Sequence, residues 1–310
     1  MTTTPEGPVR VGLFPLDILA GGTPAATTAL ARIADAGFDH VCCGDHVSFL
    51  NGAGFDGLVQ ATALAMLHPT LPIHTGVYLL PLRHPTLVAR QLADLDRLAP
   101  GRLVFGVGIG GEDRHEVEVC GVDPATRGRR MDECLIAVRE LLTGGPTTFH
   151  GRHIDLDKAV IVPAPAQPVL LIVGGRSEAA VRRAGRLGDG WLGLWVSPRR
   201  FRDATGQAGD EAARVGRTDY PARHAMQVWC GLAETRETAR DHLAQAMEAF
   251  YGLKFEQFER YSPYGVVDDV VEFLSPYVEA GCREFNLITR STDQDTAIAI
   301  TSEVRRRLVG

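Results

Sequence analysis

The run GVYLLPLRHPTLVARQLADLDRLAPGRLVFGVGIGG, residues 76–111, constrains the fold more than any other stretch of this chain. It reads as strand, turn, helix, turn, strand. Pro81 and Pro85 bracket the first turn, and Pro85 suits the opening of a helix whose Val88, Gln91, Leu92 and Leu95 share one face. Pro100 and Gly101 stop that helix. Residues 103–107 are an unbroken apolar run, the pattern of a strand buried on both faces of a parallel sheet. The run empties into Gly106, Gly108, Gly110 and Gly111. Glycines at the C-terminal end of a buried strand let backbone approach a ligand closely.

The same alternation extends in both directions. Strands are expected at 9–14, 39–43 and 71–78, with helices at about 23–36, where Thr23-Pro24 supplies the cap, and 58–67. A glycine-rich loop, 47–57, separates the second strand from its helix. Met131, Leu135, Val138 and Leu142 mark a long helix, and 147–168 reads as an extended excursion. Strands follow at 169–173, 190–194, 225–232 and 284–288, with helices at 177–187, 201–214, 235–250, 266–278 and 292–308. The last helix opens on a capping-box pattern from Ser291 to Gln294, and 251–264 is aromatic and irregular. Eight strands alternating with helices indicate a parallel α/β fold. A doubly wound sheet would carry its glycine fingerprint after the first strand, where Phe14-Pro15-Leu16 stands instead. The expected architecture is therefore a (β/α)8 TIM barrel, one domain over residues 1–310, with insertions after strand 4 and before strand 8.

Composition narrows the function. The net charge is −6 with no basic block, which argues against nucleic acid as a partner. No stretch approaches the roughly 18 apolar residues of a membrane span. The N-terminal MTTTPEGPVRVGLF lacks the basic and apolar regions of a signal peptide, so the expected location is cytoplasmic. The six cysteines show no CxxC spacing, and the histidines no HxH or HxxE spacing, so no metal site is expected. Only Lys158 and Lys254 are lysines, both expected in connections, which disfavours Schiff-base chemistry at a strand end. A barrel hydrolase using metal would want ligands after strand 1, where Phe14-Pro15 offers none.

Three places combine unusual residues with expected strand ends. Gly174, Gly175, Arg176 and Ser177 open a helix directly after a buried strand, where free N–H groups, the helix dipole and a guanidinium favour an anion. An ordinary turn with Ser177 as N-cap fits the same residues. Asp45-His46 is an acid–histidine pair suited to moving a proton, or a polar loop pair satisfying backbone. Glu112, Asp113, His115 and Glu116 form a second polar cluster, whose bland reading is a solvated loop.

Three blocks carry a family resemblance: IADAGFDHVCCGDH (33–46), the RHP turn with ARQLADLDRLAPGRLVFGVGIGG, and VGGRSEAAVRRAGRLGDGW (173–191). In order and content they resemble the bacterial luciferase-like oxidoreductases, which use flavin or the deazaflavin coenzyme F420. The resemblance implies a cofactor phosphate at Gly174, Gly175, Arg176 and Ser177, and backbone near the ring at Gly108, Ile109 and Gly110. It places a non-proline cis peptide behind the ring at Gly76–Val77. It implicates His46, with Asp45, in catalysis, and puts a catalytic acid close to Glu112, although the matching position falls at Gly111. Family members that bind FMN often place an arginine after strand 4; Ile109 and glycines stand there, which favours coenzyme F420 over FMN. Arg114, Arg176, Arg199, Arg200 and Arg202 are candidates to meet the acidic tail of F420. The expected activity is hydride transfer between the deazaflavin and a small organic substrate. An FMN-dependent monooxygenase and a non-catalytic flavin-binding barrel are the alternatives, and a homodimer is the expected assembly.

Overall fold

The computed structural model describes residues 7–50, 52–111 and 113–310. In chain order the elements open with β1 (Arg10–Leu13), α1 (Gly22–Asp35), β2 (His40–Cys43), β3 (His46–Phe49), β4 (Ala53–Phe55), α2 (Gly57–Leu67) and β5 (Ile73–Thr75). They continue through α3 (Pro85–Leu98), β6 (Leu103–Val107), α4 (Arg114–Val119), α5 (Arg127–Leu141), β7 (Thr147–His150), β8 (Asp155–Ala159) and β9 (Leu170–Gly174). Next come α6 (Glu178–Leu187), β10 (Gly190–Leu194), α7 (Pro198–Arg214), β11 (Ala225–Leu232) and α8 (Arg236–Tyr251). The chain closes with β12 (Tyr264–Gly265), α9 (Val267–Glu279), β13 (Glu284–Arg290) and α10 (Gln294–Val309).

Eight of these strands pair in parallel in the order β1, β2, β5, β6, β9, β10, β11, β13, and β13 returns to β1. The sheet is closed, and helices cover it. The expected (β/α)8 barrel is therefore the observed fold. Strand residues alternate between an outward face packed on the helices and an inward face. Leu13, Val41, Ile73, Phe105, Leu171, Val228 and Leu287 belong to the large apolar core. Continuous apolar strands are the consequence of burial on both faces.

Several local expectations change. Thr23 does not cap α1; Gly21 holds that position with no side-chain hydrogen bond, and Thr23 lies inside the helix. The glycine-rich loop is a β3–β4 hairpin, and 147–168 contains a second hairpin, β7–β8. The residues after β6 include a short helix, α4, where a solvated loop was expected. α10 is capped by Asp293, whose carboxylate accepts the Thr296 N–H, while Ser291 Oγ donates to the Leu232 carbonyl instead of boxing with Gln294. The strand expected at 71–78 ends at Thr75; Gly76 still donates to the Cys43 carbonyl at 2.8 Å, and past the Gly76–Val77 peptide the chain meets β6 again at a Tyr78–Val107 bridge.

Candidate active site

The C-terminal strand ends form the barrel mouth, and the chain from β2 supplies its central pair. The Asp45 carboxylate is buried and meets four donors: the Gly57 and Leu79 amides, each at 2.8 Å, and both terminal nitrogens of Arg83 at 2.6 and 2.7 Å. Burial pushes this carboxyl up, while Arg83 and the two amides pull it back. Burial also opposes the Arg83 charge, but the Asp45 partner prevails and holds the guanidinium above its ordinary range. Asp45, which the resemblance implicates in catalysis with His46, ties the start of α2 and the post-β5 turn to β2. The RHP turn gains a reason: Arg83 also binds Asp56, the N-cap of α2, at 2.9 Å.

His46 is free of that network. Its Nδ1 lies 3.1 Å from Glu116 Oε2 on α4, and the Val47 N–H donates to Glu116 Oε1 at 2.7 Å. Glu116 is buried, 2% exposed, which corrects its reading as part of a solvated loop. Burial alone would raise the Glu116 carboxyl, but the His46 hydrogen bond and the Val47 and Ser48 amides outweigh it and hold the group below the carboxylate range. A carboxylate on Nδ1 selects the tautomer with its proton there and leaves Nε2 as the working nitrogen. Sequence reasoning placed Glu116 in a polar cluster but not beside His46; the signal for its helix was Asp113-x-x-Glu116, a helix-start spacing that Asp113 does realise as N-cap. Glu112 lies outside the described residues.

The opposite side of the mouth is built from glycine. The Gly76–Val77 peptide is cis, as the resemblance implied. A Cβ on Gly108 would come within 2.5 Å of Val77 Cγ2, and one on Gly174 within 2.7 Å of Val77 Cγ1. The two strand-end glycines therefore seat the Val77 side chain between β6 and β9. Beyond them Gly175 takes φ +130°, a conformation favouring glycine, and its carbonyl accepts the Trp191 indole N–H at 2.7 Å. Ser177 caps α6 through the Ala180 amide, and the Arg176 guanidinium lies 5.3 Å over the Trp195 ring. The Arg176 and Ser177 amides have no hydrogen-bond partner within the described chain, so the first turn of α6 keeps donors for an anion.

Aromatic rings complete the circuit. Trp195 meets Tyr251 at 5.2 Å, Tyr251 meets Phe250 at 4.8 Å, and Phe250 packs on Phe49 at 5.3 Å and on His46 at 5.7 Å. His46 stacks on Phe49 at 4.1 Å. The ends of β5, β6 and β9 are thus glycine-rich, while the aromatic rings gather past β10 and on α8, and His46 packs on Phe49 and Phe250 of that aromatic set.

The luciferase-like monooxygenase family matches residues 12–274. The chain belongs to this family. An uncharacterised protein of Mycobacterium tuberculosis is 41% identical over 145 residues, 46% of this chain and 50% of its own length. An F420-dependent glucose-6-phosphate dehydrogenase of Nakamurella multipartita is 33% identical over 201 residues, 60% of this chain and 56% of that one. The chain spans about half the length of the curated relatives it matches. Among solved structures, an F420-dependent secondary alcohol dehydrogenase in complex with an F420-acetone adduct superposes with a TM-score of 0.83 at 23% identity, covering 96% of this chain and 98% of that one, a likeness of fold.

As a luciferase-like barrel, the chain brings together His46, Gly76, Val77, Gly108, Gly174, Gly175, Arg176 and Ser177 around one mouth. Ile109 turns away and packs on the main core, and Gly110 takes φ +69° in the turn that follows. Of the arginines expected to meet an acidic tail, Arg114 is tied to Glu118 at 2.9 Å and Arg199 lies 3.8 Å from Asp203. Below the mouth, the barrel interior holds a polar column that no sequence spacing announced. His40 and His74 stack at 3.8 Å, His40 Nε2 meets Asn286 Oδ1 at 2.7 Å, and His74 Nδ1 meets Glu284 at 3.0 Å. Glu284 is also bound by Arg10 and Arg223. His40, His74 and Glu284 lie close enough to share a metal ion, their ligand atoms within 4.8 Å. His40 Nε2 and His74 Nδ1, however, are already engaged by Asn286 and Glu284, and the carboxylate also serves two guanidinium groups. The trio reads as a hydrogen-bonded ion-pair network.

Proposed function

We propose that the protein is a coenzyme F420-dependent oxidoreductase transferring a hydride between the deazaflavin and a small organic substrate. The observation that carries this reading is the His46–Glu116 pair just past β2, packed beside Phe49 and Phe250, in a barrel whose β5, β6 and β9 ends are glycine. The residues fit such a cofactor: free amides and Arg176 at the start of α6 for its phosphate, and the Gly76–Val77 turn for its ring. The deazaflavin supplies the hydride acceptor or donor. Glu116 fixes the His46 ring through Nδ1. His46 Nε2 then takes the hydroxyl proton as a substrate alcohol is oxidised, or returns it to the oxygen as a carbonyl is reduced. The aromatic wall excludes water, and Asp45 holds the loops that carry these groups.

F420 is preferred because Ile109 and glycines follow β6, with no arginine there to grip a terminal phosphate dianion, and because related proteins of this family are named as F420-dependent. The family description as a monooxygenase supports the alternative, an FMN-dependent monooxygenase. Titrating the purified protein with each cofactor by fluorescence separates them: micromolar FMN binding with no measurable F420 binding would reverse the assignment. The same reading includes a homodimer. Exposed Val59 and Met66 on α2 and Leu87 on α3 offer an apolar outer face for it, and sedimentation would measure it. No helix is long and apolar enough to cross a membrane among the described residues.

A further inference from the structure

Gln227 lies on β11, beside Asn286 in register on β13, and is 8% exposed. Among the described residues, the other buried polar side chains of the barrel strands all have partners. His40 has Asn286, His74 has Glu284, and Glu284 has two arginines. Thr75 donates to the Gly106 carbonyl at 2.7 Å, and Thr289 meets Cys230 and Thr301. Gln227 Oε1 has none. Its position is defined from the other side as well: a Cβ on Gly76 would run into this oxygen, and the next residue it would approach is Asn286, at Nδ2, 3.7 Å away. The unpaired carboxamide therefore stands directly against the first residue of the cis Gly76–Val77 peptide, at the boundary between the polar column and the mouth.

A buried amide retained without a partner implies one that arrives. A carboxamide offers one donor face and one acceptor face, and the group complementary to both is a ring N–H beside a ring carbonyl. The pyrimidinedione edge of a flavin-type tricycle has that arrangement, in deazaflavin and flavin alike. We propose that Gln227 binds the polar edge of the cofactor ring, with the carboxamide held ready by its packing against Gly76. This inference rests on the cofactor reading above and goes beyond it by assigning the deep anchor of the ring.

Gln227→Met keeps the side chain's length and shape and removes both hydrogen-bonding atoms; Gln227→Leu removes them with a different shape. The test compares wild type and both variants, cofactor-free and titrated with coenzyme F420 and with FMN. It reads the dissociation constant, the bound-state absorption band and the thermal midpoint of the cofactor-free protein. Because the amide has no partner in the chain, both cofactor-free variants should melt at or above the wild-type midpoint. Both should bind whichever cofactor the wild type binds at least tenfold more weakly, with a displaced absorption band. Affinity within twofold of wild type and an unchanged band would overturn the proposal while leaving the cofactor reading intact. Cofactor-free variants that melt well below wild type while binding normally would also overturn it, since Gln227 would then be structural. A wild type that binds neither cofactor would overturn the cofactor reading and this assignment with it.

Discussion

Mild acid should weaken this barrel from its interior. Burial holds His40 down to about 3 and His224 down to about 4, against an ordinary value of 6.5. Each neutral ring is in use: His40 meets Asn286, and His224 Nδ1 accepts the Trp191 N–H at 3.1 Å, so a proton on that nitrogen would face another donor. Below pH 6.5 the unfolded chain takes up a proton at each of these positions that the folded chain refuses, and buried His74, also held down, adds to them. Their effect is therefore negligible above pH 6.5 and grows as the pH falls towards 4 and 3. At pH 5 the difference in proton binding costs about 2 kcal/mol per histidine, about 4 kcal/mol for the pair. That is a large share of the roughly 5–15 kcal/mol by which domains are stable. Glu284 adds its own loss only below its ordinary 4.5: burial would raise it, but His74, His40 and Arg223 hold it lower. Urea unfolding at pH 7.5, 6 and 5 measures the effect. His224→Gln, which keeps an acceptor without titrating, should remove the His224 share of the loss between pH 7.5 and 5, about 2 kcal/mol. Equal unfolding free energies at the two pH values would refute the placement of neutral histidines in the interior.

Other outcomes follow from the mouth. His46→Ala should bind cofactor nearly as wild type and turn over roughly a hundredfold more slowly, the usual scale of general acid–base help; unchanged turnover would make His46 structural. Glu116→Gln should lower kcat through the His46 ring while leaving the cofactor dissociation constant unchanged, and a pH–rate profile identical to wild type would dismiss the pair. Asp45→Ala should destabilise the fold by about 3 kcal/mol by leaving Arg83 with Asp56 alone and the Gly57 and Leu79 amides unpaired; a melting curve matching wild type would show the ion pair to be dispensable. Gly76→Ala should displace the Gln227 carboxamide and lower cofactor affinity with the fold retained, which circular dichroism and the same titration would report together.

The barrel was legible because strands buried on both faces are written as continuous apolar runs, and helices as periodic ones. Leu103–Val107, Gly190–Leu194 and Ala225–Leu232 occupy the residues that pattern alone assigns. His46 and the glycines of 174–175 were also legible, because the end of a strand is a local property and the unusual residues stand there. Partnership was not. Asp45 and His46 are adjacent in sequence, yet one faces Arg83 and the Gly57 and Leu79 amides while the other faces a glutamate 70 positions away. Glu116 looked solvated because its helix is only six residues long and charged, and its burial comes from the β3–β4 hairpin packed against it. Gln227, His40, His74 and Asn286 sit in strands that a hydrophobicity pattern reads simply as buried. Closure of the sheet turns their side chains toward a common axis, where polar groups far apart in the chain must satisfy one another. Sequence periodicity determined which elements form. Only barrel closure decided which charges and amides meet inside it, because that depends on register around the whole ring and not on any one strand.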